Sequence, residues 1–233
     1  MKKQLVKGLL LVAAFAMTAT VMNAQRSVQD REALRNAIQR WGGCKNVAIT
    51  KTNGDVALNG RNTYVVSAVP QGLSDELRQL KRQNKLIDDV TLTESGKWVV
   101  LYDTNDATWT NNAPSGLVDK INEFHNNGYV VRSITFNDRG EWAIVSDEYY
   151  SSSSNDLQTW LRGGCENYGK LWSVAITDDG AVAVYDRGFR YRGNVPEGMK
   201  QALRETSYDV YRLKFAGTSW FFADTDGNYR YHM

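Results

Sequence analysis

Cysteine, histidine and clustered carboxylates are the side chains best suited to covalent or metal chemistry, and this chain holds only two cysteines and two histidines. Cys44 and Cys165 sit in matching contexts, Trp41-Gly42-Gly43-Cys44 and Arg162-Gly163-Gly164-Cys165. A thiol works as a nucleophile when a base lies within hydrogen-bond reach, and neither cysteine has one nearby in sequence. His125 falls in the last turn of an expected helix, where a cation is favourable, and His232 is the penultimate residue. Neither has a second His or Cys at ligand spacing, so no zinc site is expected. Asp103-Thr104-Asn105-Asp106 and Asp224-Thr225-Asp226-Gly227-Asn228 place acids in short loops. Both lack the sixth-position Gly and distal Glu of an EF-hand, and they read as hairpin turns. The sequence contains no Gly-x-Ser-x-Gly elbow, phosphate-binding Gly loop or His-Glu-x-x-His. It calls for no metal and no cofactor, and names no catalytic residue.

The remaining candidates are aromatic. Tyr64, Trp109, Tyr150, Tyr191 and Tyr231 occupy one recurring place in successive segments. Repeated at that place, their rings could form a ladder for a polysaccharide or an extended peptide. The competing reading is that they pack one segment against the next, the usual fate of large aromatics.

The segments that position these residues are repeats. Val47-Ala48-Ile49-Thr50 leads through Asn53-Gly54 to Val56-Ala57-Leu58, and Val90-Thr91-Leu92-Thr93 through Ser95-Gly96 to Trp98-Val99-Val100. Ile134-Thr135-Phe136 leads through Arg139-Gly140 to Trp142-Ala143-Ile144, and Val174-Ala175-Ile176-Thr177 through Asp179-Gly180 to Val182-Ala183-Val184. A fifth copy runs from Leu213-Lys214-Phe215 through Gly217 to Trp220-Phe221-Phe222. Alternating strands around a Gly-containing turn predict hairpins. The turn glycines recur about every 37 to 44 residues, a spacing typical of repeat architectures.

Pro70-Gln71-Gly72-Leu73, Pro114-Ser115-Gly116-Leu117 and Pro196-Glu197-Gly198-Met199 each open a helical pattern, and Ser154-Asn155-Asp156 supplies a polar cap in the fourth repeat. Apolar stripes follow at i, i+4, i+7: Leu34, Ile38 and Trp41; Leu73, Leu77 and Leu80; Leu117, Ile121 and Phe124. Gly42-Gly43, Asn127-Gly128 and Gly163-Gly164 mark expected helix ends. A short aromatic stretch after each hairpin suggests a third strand. The fold class is therefore an α+β repeat protein of about five tandem α-β-β-β units, spanning 27–69, 70–113, 114–153, 154–195 and 196–233. One such unit cannot close a core, so neighbours bury its faces, in a curved array or a closed five-fold ring. In either arrangement, equivalent points in repeats one and four lie farther apart than the roughly 7 Å a disulfide allows. Cys44 and Cys165 are expected as two buried thiols, with a disulfide or a catalytic thiol as alternatives.

The run Phe124-His125-Asn126-Asn127-Gly128-Tyr129 entering the strand Val131 to Phe136 resembles the helix, Gly-Tyr, strand module of tandem-repeat domains in secreted hydrolases, such as the amino-terminal part of polyglycine hydrolases. In repeat number and length the chain is also similar to the pentein-type αβ propellers, at the level of fold. These resemblances imply an extracytoplasmic or catalytic toroid. A pentein-type site would pair Cys165 with His125 and an acid such as Asp178 or Asp179, although those acids are explained as turn residues before Gly180.

At the amino terminus, Lys2, Lys3 and Lys7 precede an apolar run from Leu9 to Ala16 and small residues to Ala24. That order is the anatomy of a secretory signal peptide over 1–24, cleaved to leave Gln25 first. The apolar run falls short of the roughly 20 residues needed to span a bilayer, so the mature 25–233 repeat domain carries no transmembrane segment and is expected in the periplasm or outside the cell. The full chain has 28 Lys and Arg against 26 Asp and Glu; removing three lysines leaves 25 against 26, or −1. No basic tract tracks phosphates, which argues against nucleic acid. The expectation is an exported noncatalytic binding or scaffold protein for a protein or polysaccharide. The alternatives are a hydrolase or transferase with a site assembled between repeats, and an inhibitor of a secreted partner.

Overall fold

The computed structural model describes residues 31–51, 54–60 and 62–233; the expected signal segment lies outside them. Unit one has helix α1, described over 31–41, and strands β1 (Asn46–Ala48), β2 (Asp55–Asn59) and β3 (Thr63–Ser67). Unit two has α2 (Gln71–Arg82), β4 (Ile87–Leu92), β5 (Trp98–Tyr102) and β6 (Asp106–Trp109). Unit three has α3 (Ser115–Asn126), β7 (Val131–Phe136), β8 (Trp142–Ser146) and β9 (Tyr150–Ser152). Unit four has α4 (Asn155–Tyr168), β10 (Leu171–Ile176), β11 (Gly180–Tyr185) and β12 (Gly188–Gly193). Unit five has α5 (Glu197–Arg204), β13 (Arg212–Ala216), β14 (Ser219–Ala223) and β15 (Tyr229–His232). Each unit's strands form a separate antiparallel meander with the second strand in the middle. The α+β repeat reading and the third strands therefore hold.

Each helix is wedged between two sheets. Leu73, Leu77 and Leu80 of α2 pack against Ala48, Val56 and Leu58 of sheet one and against Val90, Leu92 and Trp98 of sheet two. The same arrangement recurs around α3, α4 and α5. Helix α1 buries Leu34 and Ile38 between sheet one and the Ala216, Phe221 and Ala223 face of sheet five. The first strands accordingly pack in the sequence β1, β4, β7, β10, β13, and β13 in turn contacts β1.

The first strands alternate apolar residues facing the helices with polar residues facing the middle of the molecule. Asn46, Asp89, Thr91, Ser133, Thr135 and Ser173 are all buried. Buried polar groups need partners, and here the partners belong to the next unit. Asn46 Nδ2 donates to Asp89 Oδ1 at 2.7 Å, Thr91 Oγ1 to the Ile134 carbonyl at 2.5 Å, and the Ile176 N–H to Thr135 Oγ1 at 2.8 Å. These bonds stitch unit to unit at the spacing of the repeat.

Two local expectations are corrected. Gly163-Gly164 does not end a helix: α4 runs on to Tyr168 and closes at Gly169, with φ 89°. A Cβ on Gly164 would stand 2.0 Å from the Tyr185 ring. The glycine is there to let Tyr185 cross the helix and donate its hydroxyl to the Leu161 carbonyl at 3.1 Å. Gly180 is not the turn glycine of its hairpin but the first residue of β11. Ile176 pairs with Ala181 across five residues, whereas Leu92 pairs with Trp98 and Phe136 with Trp142 across six. The turn of unit four is one residue shorter, so Ala181, and not Val182, stands where Trp98 and Trp142 stand.

Candidate functional site: a vacated indole position in unit four

One residue near the start of the second strand faces the helix entry of its own unit. Trp98, Trp142 and Trp220 fill this position in units two, three and five, pairing across from Leu92, Phe136 and Phe215. Their indoles lie over the glycine of the Pro-x-Gly helix entry. A Cβ on Gly72 would stand 3.8 Å from Trp98 Nε1, one on Gly116 3.6 Å from Trp142 Nε1, and one on Gly198 3.8 Å from Trp220 Nε1. A methyl group there would be in van der Waals contact with the ring. The recurring Pro-x-Gly and the recurring Trp are thus two halves of one packing device.

Unit one lacks both halves and fills the position with charge. Asp55, buried, faces the Arg31 guanidinium, with Nε 3.6 Å from Oδ2. Arg31 also donates to Ser219 Oγ at 2.6 Å and to the Thr50 carbonyl.

Unit four lacks both halves and carries neither an indole nor an ion pair at the position. Ala181 offers only a methyl group, and Asp156 replaces the helix-entry glycine. Beside it lies a cleft of about 510 Å³ lined mainly by Arg139, Glu141, Thr177, Asp179 and Arg192, with Leu157, Ile176 and Ala181 buried beneath them, within the range of small-ligand sites, roughly 300–1,000 Å³. With no indole to clear, α4 begins on a side-chain cap, the Leu157 N–H donating to Ser154 Oγ at 3.2 Å. The rim is charged and comes from three hairpins. Arg192 Nη1 lies 2.9 Å from Asp156 Oδ2, and its Nη2 3.8 Å from Glu141 Oε1. Arg139 Nε lies 3.7 Å from Asp178 Oδ1, and Lys51 Nζ 2.7 Å from Asp179 Oδ2. The hydrogen bond to Asp179 holds the Lys51 ammonium above its ordinary pKa. Positive and negative rim groups are already matched, so the cleft presents a charge-balanced polar surface.

A second, smaller cleft of about 240 Å³ opens where the first strands begin. Register shifts in β4, β7 and β10 fall at Asp88, Arg132 and Trp172, and a bulge re-aims the side chain it carries. Trp172 meets Tyr211 edge-on at 4.8 Å, lies 4.4 Å from Lys170 Nζ and donates its Nε1–H to Asp186 at 2.6 Å. These residues form a network satisfied within the protein.

The five third-strand aromatics fall on β3, β6, β9, β12 and β15, at the outer edge of each sheet. All five are half-buried, and each packs against a different helix-centred core. The structure does not bring them together: among the described residues no ring contact joins one to another, and Tyr231 stacks on Tyr229 of its own strand. Both thiols are free. Cys44 is buried beside α1, and burial pushes its thiol up to about 12. Cys165 lies with Tyr150 and Tyr185 in the α4 core, while His125 approaches the Asn105 carbonyl at 3.0 Å in unit three. No hydrogen bond links them among the described residues. The Asp224–Asn228 loop is a turn closed by Asp224 itself. Among the described residues, no group of three or more His, Cys, Asp or Glu is placed to hold a metal ion, and no helix is long and apolar enough to cross a membrane.

No protein-family model matches the chain, and no curated protein matches it either.

Proposed function

We propose that this chain is an exported, noncatalytic binding protein, a five-fold ring of α-β-β-β units that takes a protein or polysaccharide ligand in the cleft of unit four. The observation that carries the reading is Ala181. Four units fill the same position, three with an indole and one with an ion pair, whereas the fourth repeat carries only the Ala181 methyl there, beneath a cleft with a charge-balanced polar lining. Closure into a ring is supported by the helix in every interval between sheets, the interval from sheet five to sheet one included. Export rests on the basic, apolar and small-residue order of residues 1–24. The noncatalytic reading is supported by Cys44, whose buried and protonated thiol is a poor nucleophile.

The test is to probe peptide and glycan arrays with the mature protein and with Ala181→Trp. Ligands bound by the first and lost by the second place binding in the cleft, and an unchanged set of ligands sinks that assignment. Terminal sequencing of protein recovered outside the cytoplasm should begin at Gln25; a chain retained inside with Met1 intact overturns export.

A further inference from the structure

We infer that the smaller cleft, where the first strands begin, is an oxyanion site in which the Arg212 guanidinium receives a carboxylate, sulfate or phosphate group. The inference is independent of the unit-four cleft. Arg212 occupies a position that every unit repeats. It pairs with Ala223, three residues beyond Trp220, and Asn46, Asp89, Ser133 and Ser173 hold the same register in the other four units. Those four are short, polar and buried, and face the middle of the molecule. Asn46 donates to Asp89 at 2.7 Å, Asp89 pairs with Lys214, and Ser133 donates to the Val174 carbonyl at 3.4 Å. The fifth is long, cationic and half-buried. Among the described residues its guanidinium has neither an ion pair nor a hydrogen bond.

The surroundings of Arg212 select the sign of its partner. The cleft, of about 240 Å³, is lined by three charged groups: Arg212, Arg132 and Asp88. The carboxylate is taken on both oxygens. Lys45 Nζ lies 2.8 Å from Asp88 Oδ1, and the Thr104 N–H donates to Oδ2 at 2.9 Å. Arg132 donates its Nε–H to Asp147 and rests over the Trp172 ring at 4.9 Å. Its two terminal nitrogens have no acceptor among the described residues. The lining therefore carries a surplus positive charge and unused guanidinium donors. A half-buried ion without a partner loses hydration that nothing offsets. An oxyanion offsets it, because its oxygens match the planar fork of a guanidinium in charge-assisted hydrogen bonds, about twice as strong as neutral ones. A metal cation or an ammonium group would meet like charge instead.

Heteronuclear NMR on the full mature chain tests it. Sodium sulfate, phosphate and acetate are titrated at an ionic strength held constant with sodium chloride, following the Nε–H signals of Arg212 and Arg132 and the Trp172 indole N–H. The expected result is a saturable shift of the Arg212 signal with at least one anion, at a midpoint of about 10 mM or tighter. Sulfate or phosphate ahead of acetate identifies a tetrahedral group, and acetate ahead of both identifies a carboxylate. Arg212→Gln should weaken binding at least about tenfold, read from the Arg132 and Trp172 signals. Arg212→Met, closer in length, serves if the first variant folds poorly. Ala181→Trp should leave the midpoint unchanged, which separates this site from the unit-four cleft. Shifts that rise without saturation for all three anions overturn the site. So does binding by either Arg212 variant that is as tight as in the unaltered protein.

Discussion

Lys214 Nζ lies 2.9 Å from Asp89 Oδ1, joining the first strand of unit five to the first strand of unit two. The two units are not consecutive, so the contact crosses the middle of the molecule. Both side chains are nearly buried, at 12% and 4% exposure. Lys214 also reaches Thr91 Oγ1 at 3.1 Å, and Asp89 holds Asn46 on its other side. A buried ion pair contributes little net stability against an apolar substitute, but removing one partner strands the other. Lys214→Met should therefore cost about 3–5 kcal/mol, and adding Asp89→Asn should recover part of the loss. Urea midpoints of the single and double variants decide it; an unchanged midpoint for Lys214→Met would show that the pair is irrelevant.

Adjacent glycines in α4 should behave differently. Gly164→Ala puts a methyl into the Tyr185 ring, and overpacking of this kind costs about 1–3 kcal/mol. Gly163→Ala meets the Arg190 guanidinium at 2.8 Å, which must leave its hydrogen bond to the Trp160 carbonyl. Loss of that bond, about 1 kcal/mol, is offset by a similar gain in helix propensity, so the variant should lie within about 1 kcal/mol of wild type. Thermal melts that rank the two variants the other way would refute the crossing described for Tyr185.

Trp98→Ala copies into unit two what the chain already does in unit four. It removes a buried ring and leaves a cavity, for an expected loss of about 3–5 kcal/mol. Ala181→Trp, directed into the cleft that Ala181 lines, should leave the denaturation midpoint within about 1 kcal/mol of wild type. A large loss in the second variant would mean that unit four has repacked around its alanine.

Acid stability has an identifiable contributor in Asp224. Burial acts to raise its pKa, but hydrogen bonds from Asn228, Asp226 and Gly227 outweigh burial and hold it below the usual carboxylate range. A depressed folded value means that the stabilisation is complete above the unfolded pKa of about 4 and is lost as pH falls through the folded value. Asp224→Asn should cost about 1–3 kcal/mol at pH 7. The variant should then lose less than wild type between pH 5 and pH 2. Parallel acid limbs in denaturant titrations of the two proteins would clear Asp224 of this role.

Much of the architecture is legible in the sequence because its signals are local. Alternation, turn glycines, Pro-x-Gly entries and i, i+4, i+7 stripes lie within a few residues of what they specify. The errors lie where the cause is distant. Gly163-Gly164 looks like a stop signal, and Tyr185, the reason helix continues through it, comes about twenty residues later. The cleft was illegible for a subtler reason. A turn one residue shorter moves Ala181 into the tryptophan position, so counting from Gly180 aligns Val182 there and conceals the substitution. Only the strand register, Ile176 against Ala181, restores the comparison. The outer aromatics Tyr64, Trp109, Tyr150, Tyr191 and Tyr231 were easy to find because they repeat; the cleft stands out where repetition fails.

Helix α1 needs sheet five. Its Leu34 and Ile38 close a core with Phe221 and Ala223, and Arg35 Nη1 donates to the Met233 carbonyl at 2.6 Å. A chain made or threaded through a membrane from its amino terminus therefore delivers the first helix long before its partner wall. Units two to five can each pack on a predecessor as they emerge, but the earliest apolar stripe, covered on one side by its own sheet, waits for the last strands to cover the other. Premature termination anywhere before β13 would strand that stripe, turning a truncated product into a sticky one rather than merely a shorter one.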